Sequence, residues 1–501
     1  MNQANHHIRA PRANGDPTTR CERLVYWGLV ALLFWAPLPL GSYRPWAVAL
    51  IVIWVAVLGA VWSAGWALGQ CRVRSWFYRG RLALALLALW AGLIALQLAP
   101  LPLAWVALLS PGAAAVFEYP YASTGGALRD TFTLSVDPAS TSRHLLLTLA
   151  LVGYFALMLL VIGRTARLQQ FARMAVASGV MCAVLAVYLH FTGASYVLFF
   201  ESMTHEVAKA PFHNRNHLAA YLEICLALGI GLIVAEFEPV RLTTWKQRIV
   251  WLLQLLLSAK VRMRLLLIVL VIGLILTRSR MGNAAFFTAL IAGGLVALLS
   301  LHARWKTILL FLGSMIILDV IVIGSWIGVE QVVKRMQQTA ISSDTRKAHG
   351  LEEQSVEERT DQGASALASL AKFPVFGTGS GSFEAMYPQY KQPGYMLSLN
   401  HAHADYVEFL VESGVVGAGL LLALLLLTSG AALRTLRTSQ SASGRGLALG
   451  SLIGIGATLM HATVEFALQI PAVALLFVVL LGVATLATGT RPPAQPAPGD
   501  P

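Results

Sequence analysis

Apolar runs of about 20 residues, each long enough to cross a bilayer as a helix, recur along almost the whole chain. In hydrocarbon every backbone N–H and C=O must be bonded within the protein, so a chain built this way forms spanning helices and little else. The runs fall near 24–41, 46–68, 81–99, 144–163, 170–190, 217–235, 263–278, 283–301, 306–328, 405–428, 447–468 and 470–488. The apolar stretch 249–259 is shorter and bracketed by Trp245, Lys246, Arg248 and Lys260, which suits an interfacial segment better than a span. Composition agrees. Of 501 residues, 57% are hydrophobic and only 12% charged, with a mean hydropathy of +0.67. The expected fold is an all-α integral membrane protein with about 12 transmembrane helices.

Arginine and lysine placement orients these spans. With the N-terminus inside, Arg9, Arg12, Arg20, Arg23, Arg72, Arg74, Arg79, Arg81, Arg164, Arg167, Arg304, Lys306, Arg434, Arg437 and Arg445 all fall on the cytoplasmic side. The expected organisation is a disordered cytoplasmic tail at 1–23 and transmembrane helices 1–9 over 24–328. A large outer loop follows at 329–403, then helices 10–12 over 404–488 and a Pro-rich disordered tail at 489–501. Segment 1–23 lacks a short apolar region before a small-residue cleavage site, so it reads as an uncleaved tail. Residues 330–372 are rich in charge, Ala and Gln and should form amphipathic helices over the membrane.

The net charge of +13 follows from this topology. Basic loops face anionic lipid headgroups, and no soluble segment carries a basic face with interleaved aromatics, so no nucleic-acid partner is expected. Cys21, Cys71, Cys182 and Cys225 fall on the cytoplasmic side or inside spans, which argues against a disulfide and gives no metal-ligand spacing.

Chemistry-bearing residues crowd into a few outer segments. Residues 400–417 hold His401, His403 and Asp405 where a polar loop meets an apolar helix, and these three are the catalytic candidates. Imidazole, with an ordinary pKa near ~6.5, suits proton removal from a hydroxyl at neutral pH. His403 or His401 is the candidate base, with Asp405 or Glu408 to orient it. The alternative is that both histidines merely cap the span. A His-Ala-His metal site lacks a third ligand at matching spacing, so neither metal nor cofactor is expected. Asp405, Glu408 and Glu412 share one helix face, expected to line a wet cavity. His461 and Glu465, four apart near an outer helix end, are expected to bond to each other or to that wall, or else to act as glue between helices.

Two basic segments sit on the side where positive charge is disfavoured. One is Pro211-Phe212-His213-Asn214-Arg215-Asn216-His217, and the other is Thr277-Arg278-Ser279-Arg280-Met281-Gly282. Guanidinium groups there call for a counter-charge, and a phosphate on a lipid-borne substrate supplies one. Arg215, Arg280, Arg278 and His217 are therefore candidate anion ligands, with Asn214 a secondary one; snorkelling to headgroups is the competing account. Gly377, Gly379 and Gly381 lack the preceding strand of a nucleotide cradle and read as a flexible turn. Tyr387, Tyr390 and Tyr395 either stack on sugar rings or anchor their loop at the interface.

Together these pieces resemble a family. Phe212 to Ala219, Ser279-Arg280, Pro374 to Phe383, and His403-Ala404-Asp405-Tyr406 through Gly414-Val415-Val416-Gly417 look like the O-antigen ligase and polymerase superfamily of membrane glycan transferases, most like an O-antigen ligase. They occur in the family's order across roughly residues 200–420, and Ala404 stands where the family commonly has an amide or hydroxyl residue. The resemblance implies a GT-C-like fold with the large loop between spans 9 and 10 in the periplasm of a bacterial inner membrane. It implies transfer of a glycan from undecaprenyl pyrophosphate to a sugar hydroxyl of lipid A-core, with inversion and without metal, and it favours His403, at the family's motif position, as the base over His401. An O-antigen polymerase or protein O-oligosaccharyltransferase would differ only in acceptor. A transporter is a remoter reading, because no internal repeat is evident.

Overall fold

The computed structural model describes residues 19–124, 131–193, 196–197, 200–201, 207–236, 259–300, 313, 363–390 and 400–490. They form a helical bundle, in which α1 runs Arg20–Trp35, α2 Pro45–Ala67 and α3 Arg81–Gln97. Two short helices, α4 (Leu103–Leu109) and α5 (Pro111–Thr124), precede α6 (Pro138–Val161) and α7 (Thr165–Thr192). Then come α8 (Arg215–Ala235), α9 (Ala259–Leu276), α10 (Arg280–Ser300), α11 (Asp405–Thr438), α12 (Ala442–His461) and α13 (Pro471–Ala487). The only strands among the described residues are the two-residue pair Tyr196–Val197 and Phe200–Glu201. Among the described residues, seven helices are long and apolar enough to cross a membrane, while α13, at 17 residues, is apolar but shorter.

Eleven of the expected spans coincide with helices, and the run 306–328 lies outside the described residues, as do segment 249–258 and most of the 329–403 loop. The first helix begins at Arg20, inside the stretch expected to be a tail.

Helix α8 is the hub, with its 18-residue apolar window wholly enclosed by other helices. Small residues let α12 press against it: a methyl built at Gly231 would lie 2.6 Å from the Gly446 carbonyl, and one at Gly450 would lie 2.5 Å from that of Ala227. Close backbone approach through small residues is how helices associate where lipid offers no hydrophobic drive.

Helix α11 is broken at Gly414, which takes φ 61° and ψ −167°. The glycine-rich segment 374–379 lies across the break as a strap. Thr378 N–H donates to Val411 O (3.0 Å) and Gly379 N–H to Glu412 O (3.0 Å), while Val415 N–H donates to Pro374 O (3.0 Å) and Val416 N–H to Val375 O (3.2 Å). Gln97, at the end of α3, fastens both pieces, its Nε2 donating to Phe376 O (2.7 Å) and Glu412 O (2.8 Å) and its Oε1 accepting from Ser380 N (3.0 Å). Gly377 is in the left-handed region, with Glu412 backbone atoms 2.3–2.4 Å from where a Cβ would stand. The expected flexible turn is thus a fixed one: glycine is required there by backbone crowding and by positive φ.

Candidate functional site

One end of the bundle gathers the starts of α8, α10, α11 and α13 and the end of α12. Backbone bonds tie parts of this end together: Asp405 N–H donates to Ala462 O (3.0 Å), Ala208 N–H to Leu276 O (3.2 Å) and Ala472 N–H to Gly41 O (3.2 Å). Because the chain leaves and re-enters its helices here, polar side chains that the sequence scatters over 250 residues meet at this end.

Phe466 is the centre of a histidine cluster. His401 stacks on its face (centroids 4.2 Å apart, 13° between planes), while His403 (5.1 Å, 79°) and His217 (4.9 Å, 75°) meet it edge-on. His403 adopts a left-handed backbone with φ 50°, an uncommon conformation for a non-glycine residue. The segment carrying Phe466 is held by a bond from Asn216 Nδ2 to Glu465 Oε1 (2.5 Å), and Asn214 caps α8 by accepting from Asn216 N (2.9 Å).

The acids of α11 are anchors for loops. Glu408 grips the histidine loop twice, through His401 Nδ1 at 2.7 Å and Ala402 N at 2.9 Å. Asp405 accepts from Leu468 N (3.0 Å), and Glu412 from Phe383 N (3.1 Å). The face they share therefore binds three loops, and Asp405 on it also lines a cavity of about 430 Å³. Asp405 holds the 462–468 segment and orients neither histidine. Burial alone would lower the His401 pKa, but the Glu408 carboxylate beside it outweighs that and raises it above the ordinary value.

Other expectations are corrected. His461 bonds Glu223, not Glu465: its Nδ1 lies 2.9 Å from Glu223 Oε1, with both side chains fully buried. Helix α12 ends at His461, so the four-residue spacing to Glu465 no longer means one face. Glu223, which drew no role from sequence, is thus half of a buried pair between α8 and α12. A buried acid in an apolar run was the available signal, since such groups need a partner. Tyr387 is 1% exposed and stacks on Phe383 (5.3 Å, 17°), so it is packing and not a sugar platform. Tyr390 lies under Lys372 (5.8 Å to the ring centroid), and Tyr395 is outside the described residues.

The arginines begin helices. Arg215 is the first residue of α8 and Arg280 the first of α10, where Ser279 Oγ accepts from Gly282 N (3.2 Å). The two starts pack together: a methyl at Gly282 would lie 2.7 Å from Ala219 Cβ, one turn below Arg215, and 3.0 Å from Glu223 Oε1. Arg215 is half-buried, and Arg278 and Arg280 are exposed. Arg278 has φ 52°. Helix N-termini carry partial positive charge, so two of them led by arginine make an end that attracts anions. Among the described residues, no group of three or more His, Cys, Asp or Glu side chains is placed to hold a metal ion.

Residues missed in the sequence include Phe466 and Gln97, neither of which belongs to any motif quoted above. A search of curated proteins found no match. Residues 265–422, which run from α9 into α11, match the family model described as O-Antigen ligase (Wzy_C). That stretch carries Arg278, Arg280, the strap, both loop histidines and Glu408. The members of that family are membrane glycosyltransferase-like enzymes, and over these residues the chain carries a domain of the O-antigen ligase superfamily.

Proposed function

We propose that this protein is an O-antigen ligase that moves a glycan from undecaprenyl pyrophosphate to a sugar hydroxyl of lipid A-core at the periplasmic face of a bacterial inner membrane. The observation that carries the reading is the His401–Glu408 pair at 2.7 Å, set at the same bundle end as two packed helix starts that begin with Arg215 and Arg280. With its Nδ1–H held by the carboxylate, His401 keeps Nε2 as the proton acceptor. In the proposed reaction Nε2 takes the proton of the acceptor hydroxyl, and that oxygen attacks the anomeric carbon. The bond from that carbon to the pyrophosphate oxygen breaks on the opposite side, inverting the centre. Arg215 and Arg280, with Arg278 nearby in sequence, take up the charge of the departing pyrophosphate, a task fixed cations perform without reorganisation.

His403 is the second reading for the base, favoured by its left-handed backbone and its contact with Phe466. Deleting the gene tests the function. Free core with polymer accumulating on the lipid carrier is the expected outcome, whereas core bearing a single repeat unit makes the protein a polymerase. Core still carrying polymer overturns the reading. A protein O-oligosaccharyltransferase would instead leave core decoration intact and strip glycan from protein.

A further inference from the structure

A cavity of about 120 Å³ opens beside His401, lined among others by Tyr43, His213, Asn214, His217 and Asn400. None of the residues lining it is Arg, Lys, Asp or Glu. Its polar groups are amides and imidazoles, which both donate and accept, the pattern that suits neutral hydroxyls better than phosphate. By the measure in which one water needs about 10–15 Å³, the space holds on the order of eight waters or one sugar ring.

Two independent features point to a ligand. His217 is 4% exposed, and its Nε2 has no hydrogen-bond partner among the described residues. A buried nitrogen left this way is costly unless something that enters the cavity bonds it. Tyr43, by contrast, is 42% exposed and lies parallel to the His213 ring (6.3 Å, 11°), giving an open aromatic wall. That wall is built at some cost. Leu40, Gly41 and Ser42 take φ of 57°, 73° and 61° in succession, and non-glycine residues resist the left-handed region. The turn is fixed by Ser42 Oγ donating to Ala36 O (2.7 Å) and Ala472 N donating to Gly41 O (3.2 Å). It sets Tyr43 at the mouth of the cavity.

We infer that this cavity is the subsite for one pyranose ring of the acceptor. Its apolar face lies on Tyr43 and His213, its hydroxyls bond Asn214, Asn400 and His217, and the attacking hydroxyl points to His401. The inference rests on the glycan-transfer reading and adds where the acceptor sits. Tyr43 is a binding residue; it takes no part in proton transfer.

The test uses the full-length protein in detergent, with Tyr43→Ala, Tyr43→Phe and Asn400→Ala. Tyr43→Ala should raise the acceptor KM roughly tenfold, the equivalent of one lost aromatic contact, while donor KM stays at the wild-type value. Tyr43→Phe should restore acceptor KM, and Asn400→Ala should raise it less. A donor KM that rises in place of the acceptor KM, or an acceptor KM unmoved in Tyr43→Ala, overturns the subsite. A second arm needs no turnover: saturation-transfer NMR with a soluble, delipidated core oligosaccharide should show contact in wild type and lose it in Tyr43→Ala. If wild type transfers no glycan yet binds the oligosaccharide through Tyr43, the transfer reading fails and the subsite stands. Transfer with no Tyr43-dependent binding fails the subsite alone.

Discussion

Two sets of buried or half-buried polar groups meet at the same end of the bundle and are used in opposite ways. The carboxylates of α11 each give an oxygen to a loop, Asp405 to Leu468, Glu408 to His401 and Ala402, Glu412 to Phe383, while Asp405 Oδ1 and Glu412 Oε2 have no partner among the described residues. The histidines gathered round Phe466 pack by ring contact, and His217 keeps a nitrogen with no partner among the described residues. In the proposed mechanism the first set is scaffold and the second is reactive surface. Inside a membrane both look alike in sequence, since either is an ionisable residue where one is expensive. What separates them is the kind of contact each makes: every one of these carboxylates accepts from a loop backbone N–H, whereas the three histidines meet the Phe466 ring.

The largest effect expected of this division is at His401. His401→Ala should lower transfer by roughly 10²–10⁴-fold, the usual worth of a positioned base, with folding intact by size exclusion. Wild-type turnover in His401→Ala together with loss in His403→Ala would move the base to His403. Next come the arginines. Arg215→Lys and Arg280→Lys should each lose on the order of 10-fold to 100-fold in kcat/KM, because a point charge cannot reproduce a bidentate fork on phosphate oxygens. Full activity in both would remove the pyrophosphate clamp.

Glu408 belongs to both sets, so its pH behaviour sharpens the comparison. His401 has a raised pKa because Glu408 favours its charged form. As a base His401 must be unprotonated, so wild-type activity should fall as pH drops through that raised value. Glu408→Gln should shift the acid limb of the kcat/KM profile to lower pH while reducing the plateau. The linked stability runs the other way: a raised folded-state pKa contributes stability below the ordinary value near ~6.5 and loses it as pH rises through the folded value. An acid limb unmoved in Glu408→Gln would separate His401 from the proton transfer.

The smallest effect on rate is expected at Asp405. Asp405→Asn keeps an oxygen to accept from Leu468, so it should cost about 1 kcal/mol of stability or less and leave kcat within a few-fold. A hundred-fold loss in kcat with unchanged melting would put Asp405 among the reacting groups and break the division between the two sets.

The helical architecture was legible because one signal, the apolar run, repeats at a length that only a membrane explains, and eleven runs coincide with helices. The segments around 211–217, 277–282 and 400–417 stood out by their charged and imidazole side chains beside apolar runs, and they meet at one end of the bundle. Pairings were not. The partner of His461 is Glu223, 238 positions away, and no local spacing encodes that. Periodicity placed Asp405, Glu408 and Glu412 on one face correctly, but it is silent on which loops fold back to take up their oxygens. Tyr387 shows the same limit, since a loop tyrosine reads as exposed until a stacked Phe383 buries it.

The break in α11 bears on how the chain assembles. The break leaves the carbonyls of Val411 and Glu412 without helical partners, and a buried carbonyl left unbonded is costly. Their cover, residues 374–379, lies upstream of Gly414. During synthesis the strap therefore emerges first, and the break is sealed as soon as its own residues arrive. Moving the strap to the far side of α11 in the chain would leave that stretch of helix unshielded while the rest of the protein is still being made.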